Sequence, residues 1–148
     1  AFGLGKTGLL IAVVNACIDS GIPAFYNNAP RMLDELRAGY RNDTYDDKMN
    51  QLIQAPVLAI DEFHRVYDKG GGGNAEGSSS WAAEHIFTIV DERYTFADER
   101  MTLIATNRNP TSGDDPISSR FSDKKRCHIV PLTGKDMRKH AVLIQDLA

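Results

Sequence analysis

Lys6, Thr7, Asp61, Glu62, Asn107 and Arg120 are the residues of this 148-residue sequence whose types and order suit phosphoryl-transfer chemistry. In the opening stretch AFGLGKTGLL, Gly5, Lys6 and Thr7 match the end of a phosphate-binding loop, which reads Gly, four residues, then Gly-Lys-Ser/Thr. Ala1 to Leu4 fill the four-residue spacer, and the first glycine falls before Ala1. Backbone N–H groups around Gly3, Leu4, Gly5 and Gly8 would cradle phosphates at a helix N-terminus, whose dipole favours anions. Lys6 would reach the β- and γ-phosphates of a nucleotide, and the Thr7 hydroxyl would coordinate Mg2+. Taken alone, Gly-Lys-Thr also fits a chance tripeptide, with the lysine solvated at the start of a helix.

PVLAIDEF is an apolar run ending in two carboxylates, as a buried parallel strand delivering acids at its C-terminal edge would be. In that setting Asp61 would hold Mg2+, directly or through water, and Glu62 would orient and deprotonate an attacking water. Asn107 ends the next apolar strand, after LIAT, where its amide would polarise the water or contact the γ-phosphate; its plainer role is a turn residue before Pro110. Arg120, in ISSRFSD, sits at a short predicted helix. It is either a solvated charge or an arginine finger acting on a neighbouring subunit's nucleotide, which would be worth roughly 10³ to 10⁵ in rate.

The elements that must position these groups follow from periodicity. Leu9, Leu10, Val13, Val14, Cys17 and Ile18 recur at helical spacing, with Gly21 as a stop, so the loop runs straight into a helix. IPAFYN reads as a strand, and Pro30 as a first-turn residue of the helix after it. Met32, Leu33, Leu36 and Tyr40 form one apolar stripe and Tyr45, Met49, Leu52 and Ile53 a second, predicting two short amphipathic helices. Trp81 to Tyr94 is helical by period, with Ser80 as its N-cap and Ala82, Ile86, Ile89 and Val90 on one face. MTLIATN predicts a strand, 115–121 a short helix, RCHIVPL a further strand and 134–147 a closing helix. DKGGGGNAEGSSS, about 68–80, reads as a loop or insertion unable to pack a core. Strands alternating with helices, without a hairpin signal, predict an α/β domain with a mainly parallel sheet.

Composition narrows the function classes. A hydrophobic fraction of 42% and a charged fraction of 25% suit one globular domain. No apolar run approaches the roughly 20 residues that span a bilayer, and the first apolar stretch lacks the marks of a signal peptide, so a cytoplasmic protein without a membrane role is expected. A net charge of −3 and a pI near 5.8 exclude a chain that coats nucleic acid through bulk charge; any DNA contact must be local or shared among subunits. Cys17 and Cys127 lack metal-ligand spacing and read as reduced, buried thiols. His64 and His128 read as structural, 124–126 (KKR) as a solvated charge run, and Asp43, Asp46 and Asp47 as a solvated face.

In order along the chain, GLGKT, VLAIDEF, WAAEHIFTIVDERY, TLIATNRNP, SSRFSD and LTGKDMR resemble the AAA+ ATPases of the DnaC-type helicase loader and IstB-like group, above all replication-associated members including those of phages and mobile elements. The resemblance implies a P-loop NTPase fold of the ASCE type, a three-layer sandwich, with ATP and Mg2+ as ligands and Thr7 and Asp61 as the metal-holding residues. It maps sensor 1 to Asn107 and the trans-acting finger to Arg120. Arg93 matches a recurring Arg-Tyr pair and is carried over as an interface or nucleotide-sensing residue. Arg138, in GKDMR, matches a C-terminal arginine motif that either senses nucleotide or packs a helix end.

The family's sheet order is 5-1-4-3-2, with its central first strand ahead of the phosphate loop. The resemblance therefore implies that residues 1–148 are a partial domain, beginning inside the Walker A loop, because loss of a central strand would leave both its neighbours unpaired. Its functional implication is an oligomeric ATPase, a ring or spiral, that binds single-stranded DNA and delivers a replicative helicase. An IstB-like role in transposition uses the same engine. A nucleotide-dependent adaptor with little hydrolysis is a third reading, against which the retained Glu62 argues.

Overall fold

The computed structural model describes residues 3–67 and 78–136. In chain order the elements are α1 (Lys6–Asp19), β1 (Ala24–Asn28), α2 (Ala29–Ala38), α3 (Tyr45–Gln54), β2 (Val57–Asp61), a 3-10 turn (Phe63–Arg65), α4 (Ser78–Thr95), β3 (Met101–Ile104) and α5 (Pro116–Phe121). The strands form one parallel sheet in the order β1-β2-β3. β2 is its centre, and all five of its residues are buried. A strand covered on both faces must be apolar throughout, which is why VLAI shows no alternation.

Alternate residues of β2 nevertheless face different helices. Val57 and Ala59 join Leu10 and Val14 of α1 in one apolar cluster, together with Ala24 and Ala105. Leu58 and Ile60 join a second cluster with Met32, Leu33 and Leu36 of α2, Ile86, Ile89 and Val90 of α4, and Ile117 of α5. The described residues thus form three layers, with α1 on one face of the sheet and α2, α4 and α5 on the other. Strand periodicity then assigns Asp61 to the α1 face, since it lies two and four residues beyond Ala59 and Val57. The register brings Asn28 beside Asp61 at the same sheet end.

Local signals set the boundaries. The Asn28 side chain caps α2 by accepting from the Arg31 N–H, and Pro30 lies in the first turn, as expected from the sequence. Asp115 caps α5 by accepting from the N–H groups of Ile117 and Ser118, and it also accepts from the Tyr67 hydroxyl, tying the turn after β2 to α5.

Several expectations are corrected. Ser80 lies inside α4, which begins at Ser78, so it is not the N-cap. Tyr40 falls beyond the end of α2 and is 56% exposed, stacking on Tyr45 rather than extending the buried stripe. RCHIVPL forms no strand. Its Ile129 and Val130 are exposed, and an isolated strand has no neighbour to satisfy its backbone groups. The two cysteines are free, as expected, but half-buried rather than buried. The Gly-rich stretch 68–77 lies outside the described residues, as do 137–147 of the expected closing helix; 134–136 are not helical. No helix among the described residues is long and apolar enough to cross a membrane.

Candidate active site

The site forms where the C-terminal ends of β1 and β2 meet the N-terminus of α1. Gly5, at φ +77°, is the N-cap residue of α1, and no side chain caps the helix. No acidic residue stands in its first turn, and a helix N-terminus of this kind favours an anion through its N–H groups and dipole. Gly3 has φ +70°, and a Cβ there would fall 1.7 Å from the Asp136 carboxylate oxygen Oδ1. The positive φ favours glycine at position 3, and the Asp136 carboxylate, the end of a flexible side chain, is its close neighbour. Leu4 reaches towards Gly134, so the 134–136 segment lies against the loop.

Asp61 joins the two sides of the site. The Thr7 hydroxyl donates to its Oδ2 at 2.5 Å, and the Tyr26 hydroxyl donates to the same oxygen at 2.8 Å. Its Oδ1 accepts the Glu62 N–H at 2.9 Å, and the residue is only 5% exposed. Burial, followed by the hydrogen bond to Asp61, pushes the Tyr26 phenol up to about 12, which keeps it a donor at neutral pH.

Glu62 stands just past the strand end in the left-handed region, at φ +54°. Its Oε2 accepts from Arg65 Nη1 at 2.9 Å and from Asn28 Nδ2 at 3.2 Å. These donors, Arg65 foremost, hold the carboxyl below its ordinary range. The Asn107 N–H donates to His64 Nδ1 at 3.3 Å, placing the segment after β3 beside the turn after β2. Burial lowers the His64 pKa, as do the cations Arg108, Arg65 and Lys6, so the ring is favoured in the neutral form that accepts at Nδ1. The Asn107 side-chain oxygen is buried without a hydrogen-bond partner among the described residues.

The residues present fit a Mg2+-nucleotide. Mg2+ is usually held by one or two protein groups plus substrate phosphates rather than by an all-protein cage. The described residues contain no cluster of three or more His, Cys, Asp or Glu able to hold a metal, whereas Thr7 and Asp61 are in direct contact beside the uncapped helix end.

Of the expected site residues, Gly3, Leu4, Gly5, Lys6, Thr7, Gly8, Asp61, Glu62 and Asn107 fall in this region of the fold. Arg120 does not. Its Nε donates to Asp91 at 2.5 Å and its Nη1 to the Pro116 carbonyl at 2.8 Å, and its guanidinium lies over the Phe87 and Tyr94 rings, at the contact of α4 with α5. Arg138 lies outside the described residues. Arg93 is corrected. Only 1% exposed, it donates to the carbonyls of Leu52, Ile53, Ala55 and Met101 and to Thr102 Oγ1, so it is an internal pin and neither an interface nor a nucleotide contact.

Tyr26, Asn28 and Arg65 also belong to the site, though the sequence pattern alone does not single them out. The partial signal for the first two is strand periodicity in AFYNN, which places 24, 26 and 28 on one face. For Arg65 it is the i,i+3 spacing from Glu62. A separate cleft of about 600 Å³, between the 63–67 turn, the 106–116 loop and α5, is not lined by Thr7, Asp61, Glu62 or Asn107.

A parallel sheet, an uncapped helix N-terminus after a glycine loop and paired acids on the neighbouring strand define a P-loop nucleotide-binding domain. Residues 1–128 match the family described as ATPase family associated with various cellular activities (AAA), and the chain belongs to that family. Over 126 residues it is 24% identical to the replicative helicase loader DnaI of Bacillus subtilis (strain 168), covering 84% of this chain and 35% of DnaI. Similar solved structures include the replication initiator DnaA bound to AMPPCP and single-stranded DNA, with a TM-score of 0.66, 22% identity, and coverage of 82% of this chain and 35% of that one. Domain III of Thermotoga maritima DnaA gives a TM-score of 0.64 at 18% identity, covering 81% of this chain and 48% of that one. The chain spans about a third of the length of DnaI, and the structural likenesses establish the AAA+ fold.

Proposed function

We propose that this chain is the ATP-hydrolysing engine of an oligomeric helicase loader, turning over ATP with Mg2+ while engaging single-stranded DNA and a replicative helicase. The observation that carries the ATPase reading is the direct contact of Thr7 with Asp61, with Glu62 next in the chain at the same sheet end. The similarity to DnaI supports the loader reading, and DnaA bound to AMPPCP and single-stranded DNA supports the choice of ligands.

When bound, Mg2+ would neutralise charge on the β- and γ-phosphates. The loop around Gly3 to Gly8 would hold the phosphates through backbone N–H groups, and Lys6 would add its charge. Thr7 and Asp61 would be the protein's metal-holding groups. Asn107 would offer its amide to the γ-phosphate or to the attacking water. Glu62 would take a proton from that water as its oxygen bonds to the γ-phosphorus and the bond to the leaving ADP oxygen breaks. The contacts of Oε2 with Arg65 and Asn28 would hold the carboxylate in place as it does so.

The test is phosphate release by the full-length protein and its Glu62→Gln variant, with and without single-stranded DNA. General-base loss is expected to lower kcat by about 10²- to 10⁴-fold while nucleotide affinity is retained. Equal phosphate release by wild type and variant would remove Glu62 from the chemistry. No release from either, with binding intact, would favour a nucleotide-dependent adaptor.

A further inference from the structure

The Asp61 carboxylate has more support than Thr7 and the backbone provide. The Tyr26 hydroxyl reaches it from the neighbouring strand, so the same oxygen, Oδ2, accepts two hydroxyl protons. Tyr26 is opposite Ala59 in the register, two residues before the end of β1, and its ring is packed against the apolar cluster that contains Leu10, Val14 and Ala59. That packing fixes where the phenolic oxygen lies. With Oδ1 engaged by the Glu62 N–H, three of roughly four acceptor positions on the carboxylate are used, and its plane and rotamer are set from three directions.

We propose that Tyr26 is a positioning residue for the metal half of the site: it holds the Asp61 carboxylate in the orientation that meets Mg2+ beside Thr7. This rests on the Mg2+-nucleotide reading above. The physical ground is preorganisation. A carboxylate free to rotate must lose that freedom when the ion binds, whereas one already pinned by two hydroxyls and a backbone N–H binds without that loss. Thr7 is itself an expected metal-holding group. Tyr26 is therefore a side chain that steadies Asp61 from outside the phosphate loop and the strand carrying the acid. Phenylalanine at this position would keep the ring and its packing and remove only the donor.

The experiment is a Mg2+ titration of fluorescent ATP-analogue binding to the full-length protein, run for wild type, Tyr26→Phe, Asp61→Asn and the double variant, with thermal melts alongside. In Tyr26→Phe the Mg2+ concentration for half-maximal binding is expected to rise by about tenfold, the effect of losing one hydrogen bond to a charged group. Binding of the same analogue in EDTA should be unchanged. In the Asp61→Asn background, Tyr26→Phe should add no further shift, because its action runs through the carboxylate. A purely structural Tyr26 would lower the melting temperature and leave the Mg2+ requirement in place.

Superimposable titrations for wild type and Tyr26→Phe would overturn the proposal, as would a Tyr26→Phe shift that persists in the Asp61→Asn background. Wild type that binds nucleotide with no dependence on Mg2+ would overturn both this and the site reading beneath it. A normal wild-type titration matched by Tyr26→Phe overturns the role of Tyr26 alone.

Discussion

Glu62 occupies the left-handed region at φ +54°, a conformation that costs a non-glycine residue of order 1 kcal/mol or more. That turn carries the backbone out of β2 and brings Oε2 to both Arg65 and Asn28. If Glu62 is the proposed general base, its donors keep it ionised to lower pH and also fix its position, and the two effects separate by pH. In that role Glu62 would take a proton only when ionised, so turnover should fall as pH drops through its pKa. Because Arg65, and after it Asn28, hold that pKa below the ordinary carboxyl range, the fall comes at lower pH than for a free glutamate. Arg65→Ala should therefore move the acid limb of the kcat profile to higher pH. Around neutral pH both proteins carry an ionised Glu62, so a rate difference there reports position rather than protonation. A pH-rate profile of ATP hydrolysis checks this, and an unmoved acid limb would show that Arg65 does not govern the base. The pair is an i,i+3 contact with Arg65 largely exposed, so its effect on folding stability is expected to be small.

At the scale of elements, Arg93 explains how α3, α4 and β3 are joined. Its Nη1 meets the Leu52, Ile53 and Ala55 carbonyls, which α3 leaves without intrahelical partners at its C-terminus, where a cation is also favoured by the dipole. Its Nε and Nη2 hold Thr102 and Met101 of β3. Burial, with Arg100 nearby, lowers its pKa to about 10, still far enough above neutrality to keep the charge. Arg93→Met should cost about 3–5 kcal/mol in denaturant unfolding, because it strands several buried acceptors at once. Arg93→Lys should recover part of this, since an ammonium lacks the planar fork. Nucleotide affinity of the folded fraction should be unchanged in both, which a sensing residue would not allow. Arg93 also marks the limit of what the sequence discloses. The helices and strands follow from local periodicity, and Asp61 and Glu62 are legible because an apolar run ending in acids is itself a local pattern. Arg93 is set by carbonyls 38 to 41 positions away in the chain, and the Tyr26 to Asp61 bond by a strand register, neither of which has a local signature. RCHIVPL failed for the converse reason: its local pattern suits a strand, but a strand also needs a partner edge.

At the scale of the whole molecule, the order β1-β2-β3 reproduces three adjoining positions, 2, 3 and 4, of the expected 5-1-4-3-2 sheet, and positions 5 and 1 have no counterpart among the described residues. The candidate site lies at one end of this three-stranded sheet, while Arg120 is held at the contact of α4 with α5 by Asp91, the Pro116 carbonyl and two aromatic rings. If Arg120 acts as a finger on a neighbouring subunit, it must exchange Asp91 for that subunit's phosphate. Two variants separate this role from a structural one. Arg120→Ala removes the finger together with the α4 to α5 tie, and should leave nucleotide binding intact while lowering turnover by about 10³-fold or more. Asp91→Ala breaks the same tie but leaves the guanidinium free to reach a neighbour, so turnover should be retained. Wild-type specific activity should rise with protein concentration as subunits associate, as should that of Asp91→Ala, while Arg120→Ala stays low at every concentration. Equal losses in the two variants would reduce Arg120 to a clamp between helices. Wild-type turnover that is independent of protein concentration and unaffected by Arg120→Ala would leave the neighbour no part in the chemistry.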